Sequence, residues 1–174
     1  MPKHAASLAD ISAAGVRLRP IDAATIVSAL VRQIENRTLP GVPSAHVIRL
    51  LPSGGVTVEG PVVATGMAVP RAAQLLADLL PRSTRSGSDA ALTRVLDLAR
   101  DTPPGFASLS EFGEALAPFA AHDAKTAVAD VTARWAAAAG ITDGWDPVDQ
   151  ECDTSISDIR RARRATGLPL GRTG

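Results

Sequence analysis

The feature that most constrains this chain is a stripe of aliphatic residues at helical spacing in its first quarter. Between Asp22 and Arg37, apolar side chains recur every three or four positions, which is the period of one face of an α-helix. They are Ala23, Ile26, Val27, Leu30, Val31 and Ile34. Asp22 has a side chain suited to an N-cap. The pattern predicts a long amphipathic helix over residues 22–37 that buries this face against other elements.

Other segments show weaker helical patterns, and one segment shows a strand pattern. Short β-branched runs at residues 46–51 and 56–60 flank Pro52-Ser53-Gly54-Gly55, which predicts a β-hairpin. Residues 61–69 are expected to be irregular, and residues 81–88 to form a polar loop. Further helices are predicted over residues 7–14, 71–80, 89–100 and 122–139, with one more that starts at Ser108 or Ser110 and uses Glu111 in a capping box.

The composition excludes several classes of protein. Lys+Arg and Asp+Glu are both 18, so a generally basic nucleic-acid coat or a polybasic membrane binder is excluded. One cysteine, Cys152, leaves no partner for an intramolecular disulfide, and three scattered histidines do not form a zinc motif. No run approaches 18 apolar residues, which predicts no membrane span. Only two of the 18 basic residues are Lys, a bias typical of GC-rich bacterial genomes, and we expect a cytoplasmic protein.

These patterns divide the chain into three parts. We expect a mainly α-helical domain with one short β-hairpin over residues 1–140. Residues 141–156 are interpreted as an acidic linker, since five acids lie between Asp143 and Asp153. Residues 157–174 are predicted to form a basic helix and tail, with five Arg against one Asp.

The order of the elements carries a family resemblance. The long helix is followed by Pro43-Ser44 with His46-Val47-Ile48, by the turn Pro52-Ser53-Gly54-Gly55, by an apolar helix at 72–80 and by a step into another helix over 101–116. This order resembles the C-terminal lobe of bacterial serine/threonine protein kinases over about residues 8–120. In that family the corresponding parts are the helix before the catalytic loop, Pro-Ser-Asn-Ile-Leu, the hairpin before Asp-Phe-Gly, the buried helix after the activation segment, and the step into the last helix. The resemblance implies a helical bundle like a kinase C-terminal lobe.

The chain departs from that family at the residues that handle ATP. No His-Arg-Asp precedes Pro43, His46 falls near the expected metal-binding Asn, and Glu59-Gly60-Pro61 stands where Asp-Phe-Gly is expected. A glycine-rich loop and a strand lysine do not occur in the sequence. The resemblance therefore implies a pseudokinase-like module without enzymatic activity, bound cofactor or metal, which acts as a scaffold for protein–protein interaction.

The resemblance to a C-terminal lobe that lacks the N-terminal lobe implies a candidate binding surface. Apolar residues that would lie under the missing nucleotide need to be covered by a partner protein, a second copy or the C-terminal segment. They are Val47, Ile48, Val62 and Val63. His46 with Glu59 lacks a third metal ligand, and both are interpreted as structural.

A second class of function stays open at the C-terminus. The stretch from Ile159 to Leu170 resembles the opening of a repressor-type helix-turn-helix, and the chain ends before a recognition helix. Four arginines crowd the helix and are candidates for contact with DNA phosphates or an acidic partner. They are Arg160, Arg161, Arg163 and Arg164. The alternative function is therefore a DNA-associated transcriptional regulator with a truncated helix-turn-helix.

Overall fold

The computed structural model describes residues 5–62, 67–80, 90–101 and 105–141. All of them lie in the compact unit formed by residues 1–141. In chain order the elements are β1 (Ala6–Ser7), α1 (Leu8–Ala13), α2 (Pro20–Glu35), β2 (Ile48–Leu50), β3 (Val56–Val58), α3 (Ala68–Leu79), α4 (Ala90–Arg100), α5 (Leu109–Leu116) and α6 (Ala124–Ala138), with 3-10 turns at Ala45–Val47 and Ala117–Phe119. The prediction of a mainly α-helical fold with a short β-hairpin is confirmed for these residues.

Helix α2 is the centre of the hydrophobic core. Its predicted apolar stripe is buried, apart from the partly buried Ile34, and the helix contacts α3, α5 and α6. The buried residues are Asp22, Ala23, Ala24, Thr25, Ile26, Val27, Leu30 and Val31. Burial of this aliphatic face removes apolar area from water, which contributes roughly 25 cal/mol per Å² to stability.

The start of α2 differs from the prediction. The helix begins at Pro20 rather than Asp22, because proline is well suited to the first helical position, where no N–H is needed. Asp22 therefore lies in the first turn, and its Oδ2 accepts a hydrogen bond from the backbone N–H of Arg19 at 3.0 Å. The aspartate still satisfies an unpaired N–H at the helix start, but it does so from inside the helix.

The predicted hairpin is part of a three-stranded antiparallel sheet. Strands β2 and β3 pair with Arg49 opposite Thr57, and β1 adds to the other edge of β2 with Ala6 opposite Leu50. The third strand was not predicted, because two residues carry no alternation pattern. Directly after β1, Ser7 caps α1: its Oγ accepts from the Asp10 N–H at 2.9 Å, and the Asp10 carboxylate accepts from the Ser7 N–H at 3.0 Å.

Three other boundaries refine the sequence analysis. Helix α3 begins at Ala68, so the end of the segment predicted to be irregular is helical, since Pro70 is tolerated within a first turn. Ser108 is the N-cap of α5 as predicted, but the Glu111 carboxylate accepts from the Ala107 N–H at 2.7 Å. Helix α6 starts after Asp123 rather than at His122. The polar loop at 81–88 and the segments from 142 onward lie outside the described residues.

Two glycines with left-handed backbone allow a matched test of the hairpin turn. Gly54 has φ +82°, and a Cβ there would collide with the carbonyl oxygen of Lys125 in α6, whereas Gly15 has φ +74° and open space around it. We expect Gly15→Ala to lower the free energy of unfolding by about 1 kcal/mol through backbone strain. Gly54→Ala should cost about 3 kcal/mol, because overpacking is added to the same strain. Urea denaturation of both variants measures this, and equal losses would contradict the docking of the turn on α6.

Candidate functional site

An open groove of about 830 Å³ lies between α1, the connector from α1 to α2, and the end of α3. Its floor is apolar, formed by buried Leu8 and Ile11 of α1 and by residues near the end of α3. Its rim is polar and carries both signs of charge. The rim residues are Ser12, Arg17, His46 and Asp78.

The local sequence explains this shape. Helix α1 turns Leu8 and Ile11, spaced i,i+3, towards the core and leaves Ser12 exposed. Gly15, in the left-handed conformation, ends the turn after α1. Residues 16–19, called the connector below, then run to the start of α2 and form one wall of the groove. Leu18 anchors the connector in the core, whereas Arg17 is exposed.

Three rim residues are of the types found in serine hydrolases. Ser12, His46 and Asp78 line the same groove, and a nucleophilic triad requires them within hydrogen-bond reach of one another. Within the described residues no hydrogen bond joins any two of them, and the Asp78 carboxylate instead accepts from Gln74 Nε2 at 2.7 Å. The geometry of this conformation presents them as separate polar groups on a rim, suited to binding a ligand.

An ion cluster around the buried carboxylate of Asp22 holds the connector beside the groove. The side chain of Asp22 is 0% exposed and accepts hydrogen bonds from Arg19 Nη2 at 2.8 Å and Arg134 Nη2 at 2.6 Å. Arg19 and Arg134 also lie within 3.1 and 3.4 Å of the half-exposed Asp130 carboxylate. Burial alone would raise the pKa of Asp22, but the hydrogen bonds from Arg19 and Arg134 outweigh it and hold that pKa below its usual value.

The four apolar residues predicted to bind a partner have different environments. Ile48 is 0% exposed within the hydrophobic core, so the expectation that a partner must cover it is corrected: the core of this chain covers it. Val47 and Val62 are partly exposed, and Val47 lies next to Gly60. Val63 lies outside the described residues.

The remaining candidates do not form one site. The Glu59 carboxylate accepts from Arg49 Nε at 3.0 Å, while His46 is on the groove rim. Among residues 5–62, 67–80, 90–101 and 105–141, no group of three His, Cys, Asp or Glu is placed to hold a metal ion. The arginines predicted to contact DNA or an acidic partner lie outside the described residues. They are Arg160, Arg161, Arg163 and Arg164.

Comparisons of the chain with protein-family models, with curated proteins and with solved structures found no match. The resemblance to a kinase C-terminal lobe therefore stays a prediction from the sequence. In the part of the chain that the structure describes, no helix is long and apolar enough to cross a membrane.

The ion cluster predicts that the loss of Asp22 lowers the free energy of unfolding much more than the loss of Asp130. We expect Asp22→Ala to lower the free energy of unfolding by about 3 kcal/mol, because it leaves two arginines without their buried partner. Asp130→Ala, the control, removes a carboxylate that is 50% exposed and should cost less than about 1 kcal/mol.

The same cluster predicts that the contribution of Asp22 to the free energy of unfolding decreases in acid. Because the pKa of Asp22 is lower in the folded chain, its contribution is present above the unfolded-state value of about 4 and is lost as the pH falls through the folded value. Urea denaturation at pH 7 and pH 3 should therefore show the difference between wild type and Asp22→Ala shrinking in acid. A difference that is equal at both pH values would contradict the ionised state of Asp22.

Proposed function

We propose that this chain is a non-catalytic protein-interaction module, built like a kinase C-terminal lobe, and that its groove receives a short segment of a partner protein. The observation that carries the proposal is the groove beside α1, with its volume of about 830 Å³, apolar floor and polar rim. That volume is in the range of ligand pockets, and apolar contact surrounded by polar groups is typical of protein interfaces.

The charges on the rim favour a peptide segment over a purely apolar ligand as the occupant of the groove. Arg17 on the connector and Asp78 at the end of α3 place opposite charges on the walls of one groove. A peptide can supply apolar side chains to the floor and polar or charged groups to both walls, and such rim charges act mainly on orientation and specificity.

Two further observations support the kinase-lobe part of the proposal. The described elements follow the expected order of short helix, long buried helix, hairpin and apolar helix. At the position expected for a metal-binding aspartate, Glu59 is paired with Arg49. Such a module would act in the cytoplasm of a bacterium as a scaffold, in which binding rather than phosphoryl transfer is the output.

A peptide selection with matched groove variants tests the proposal. A displayed library of random peptides is selected on the purified full chain, and the affinity of enriched peptides is measured by titration. Ser12→Trp fills the groove, whereas Ala13→Trp adds the same side chain to the neighbouring exposed position, which does not line the groove. We expect Ser12→Trp to weaken binding at least about tenfold, or about 1.4 kcal/mol, and Ala13→Trp to leave it nearly unchanged. Failure to enrich any peptide, or equal binding by both variants, would overturn the groove as the binding site.

Two other classes of function predict different results with the same preparation. A nucleotide-binding protein would be stabilised by Mg-ATP, by about 2.7 kcal/mol at 100 times its Kd; we expect no shift in Tm. A DNA-associated regulator would bind duplex DNA with an affinity that falls steeply with salt and is lost when Arg160, Arg161 and Arg163 are changed to Ala. A clear Tm shift with Mg-ATP, or such DNA binding, would replace the proposal with the corresponding class.

A further inference from the structure

We infer that Arg134 of α6 is a positioning residue for the groove, so that the packing of α6 and the occupancy of the groove are coupled. The inference rests on the proposed function of the groove and adds a means of regulating it. Its basis is one guanidinium that contacts both the buried carboxylate of Asp22 and the groove wall.

The contacts of Arg134 join three elements. Nη2 donates to Asp22 Oδ2 at 2.6 Å at the start of α2, and Nη1 donates to the backbone carbonyl oxygen of Arg17 in the connector at 3.3 Å. Nε lies 3.4 Å from Asp130 on α6 itself. Because a guanidinium is planar and its donors have fixed directions, these contacts fix the distance between α6 and the connector.

The connector depends on this contact because its other hydrogen bonds lie at its two ends. The Val16 N–H donates to Ile11 O at 3.1 Å at one end, and the Arg19 N–H donates to Asp22 Oδ2 at 3.0 Å at the other. Between them, the carbonyl of Arg17 receives its hydrogen bond within the described residues from Arg134. Without the hydrogen bond from Arg134, the middle of the connector would be held in place mainly by the burial of Leu18.

Thermodynamic linkage makes the coupling reciprocal. A segment bound in the groove contacts the connector and favours its ordered conformation, which is the conformation that Arg134 stabilises. Binding should therefore stabilise the packing of α6, and loosening of α6 should weaken binding by the same factor. A change in the packing of α6 would therefore change the affinity of the groove for its peptide.

The substitution Arg134→Lys separates this role from a general contribution to stability. Lysine keeps the positive charge opposite Asp22, but its compact ammonium cannot reproduce the two-sided guanidinium contact. Arg94→Lys, at an exposed position on α4, is the matched control. Hydrogen exchange in the free full chain should be several-fold faster in Arg134→Lys at the two hydrogen-bonded amides of the connector, those of Val16 and Arg19. The core amides of α2 should be unchanged, and Arg94→Lys should have no effect.

The peptides enriched on the groove supply the second measurement. In wild type, a bound peptide should slow exchange in α6; in Arg134→Lys this protection should shrink, and affinity should fall about fivefold or more, the lower range of measured couplings. Unchanged exchange at the amides of Val16 and Arg19, or faster exchange throughout the chain, would overturn the inference and leave the proposed function standing. If the selection yields no peptide, the proposed function fails and the coupling fails with it, whatever the exchange data show.

Discussion

The fold depends on a carboxylate that the chain removes from water. Asp22 has a fully buried side chain, and a buried charge is tolerated only when partners replace its hydration. Arg19 supplies a backbone N–H and its guanidinium, and Arg134 supplies a second guanidinium from α6. These contacts join the start of α2, the connector and α6, so three parts of the structure meet at one side chain. A second polar contact works in the same direction, because Thr25 Oγ1 accepts from the Ala121 N–H at 2.8 Å just before α6.

The groove follows from this arrangement rather than from a dedicated motif. Its floor consists of core residues, such as Leu8 and Ile11, whose burial stabilises the fold, so substitutions there would change folding and binding together. Its rim consists of exposed residues that packing leaves unconstrained, such as Ser12 and Arg17. For the proposed binding site, specificity would therefore reside in the rim, where side chains can vary without loss of the core.

The sequence predicted the elements that have local signals. The stripe of α2, the Ser108 cap of α5 and the Gly54 turn of the hairpin all belong to patterns read within a few residues, and the structure contains them. It did not predict β1, whose two residues are strand only because β2 offers an edge. The groove was not predicted for a related reason: Ser12, His46 and Asp78 lie far apart in sequence and line one groove only through tertiary packing. Asp22 was recognised as a residue at a helix start, but its role in holding α6 depends on Arg134, more than a hundred positions away.

The sheet bears on both candidate surfaces, the hairpin strand that contains Ile48 and the groove beside α1. A kinase-like lobe without its upper half would leave the strand that contains Ile48 uncovered, and the sequence alone therefore suggested a partner there. The chain instead pairs its own residues Ala6 and Ser7 with Leu50 and Arg49 at one edge of β2, and Ile48 lies in the hydrophobic core. Because α1 begins immediately after this strand, the same contact that closes the sheet also sets α1 as one wall of the groove. One strand pairing therefore both satisfies backbone groups at the edge of β2 and positions α1 beside the groove.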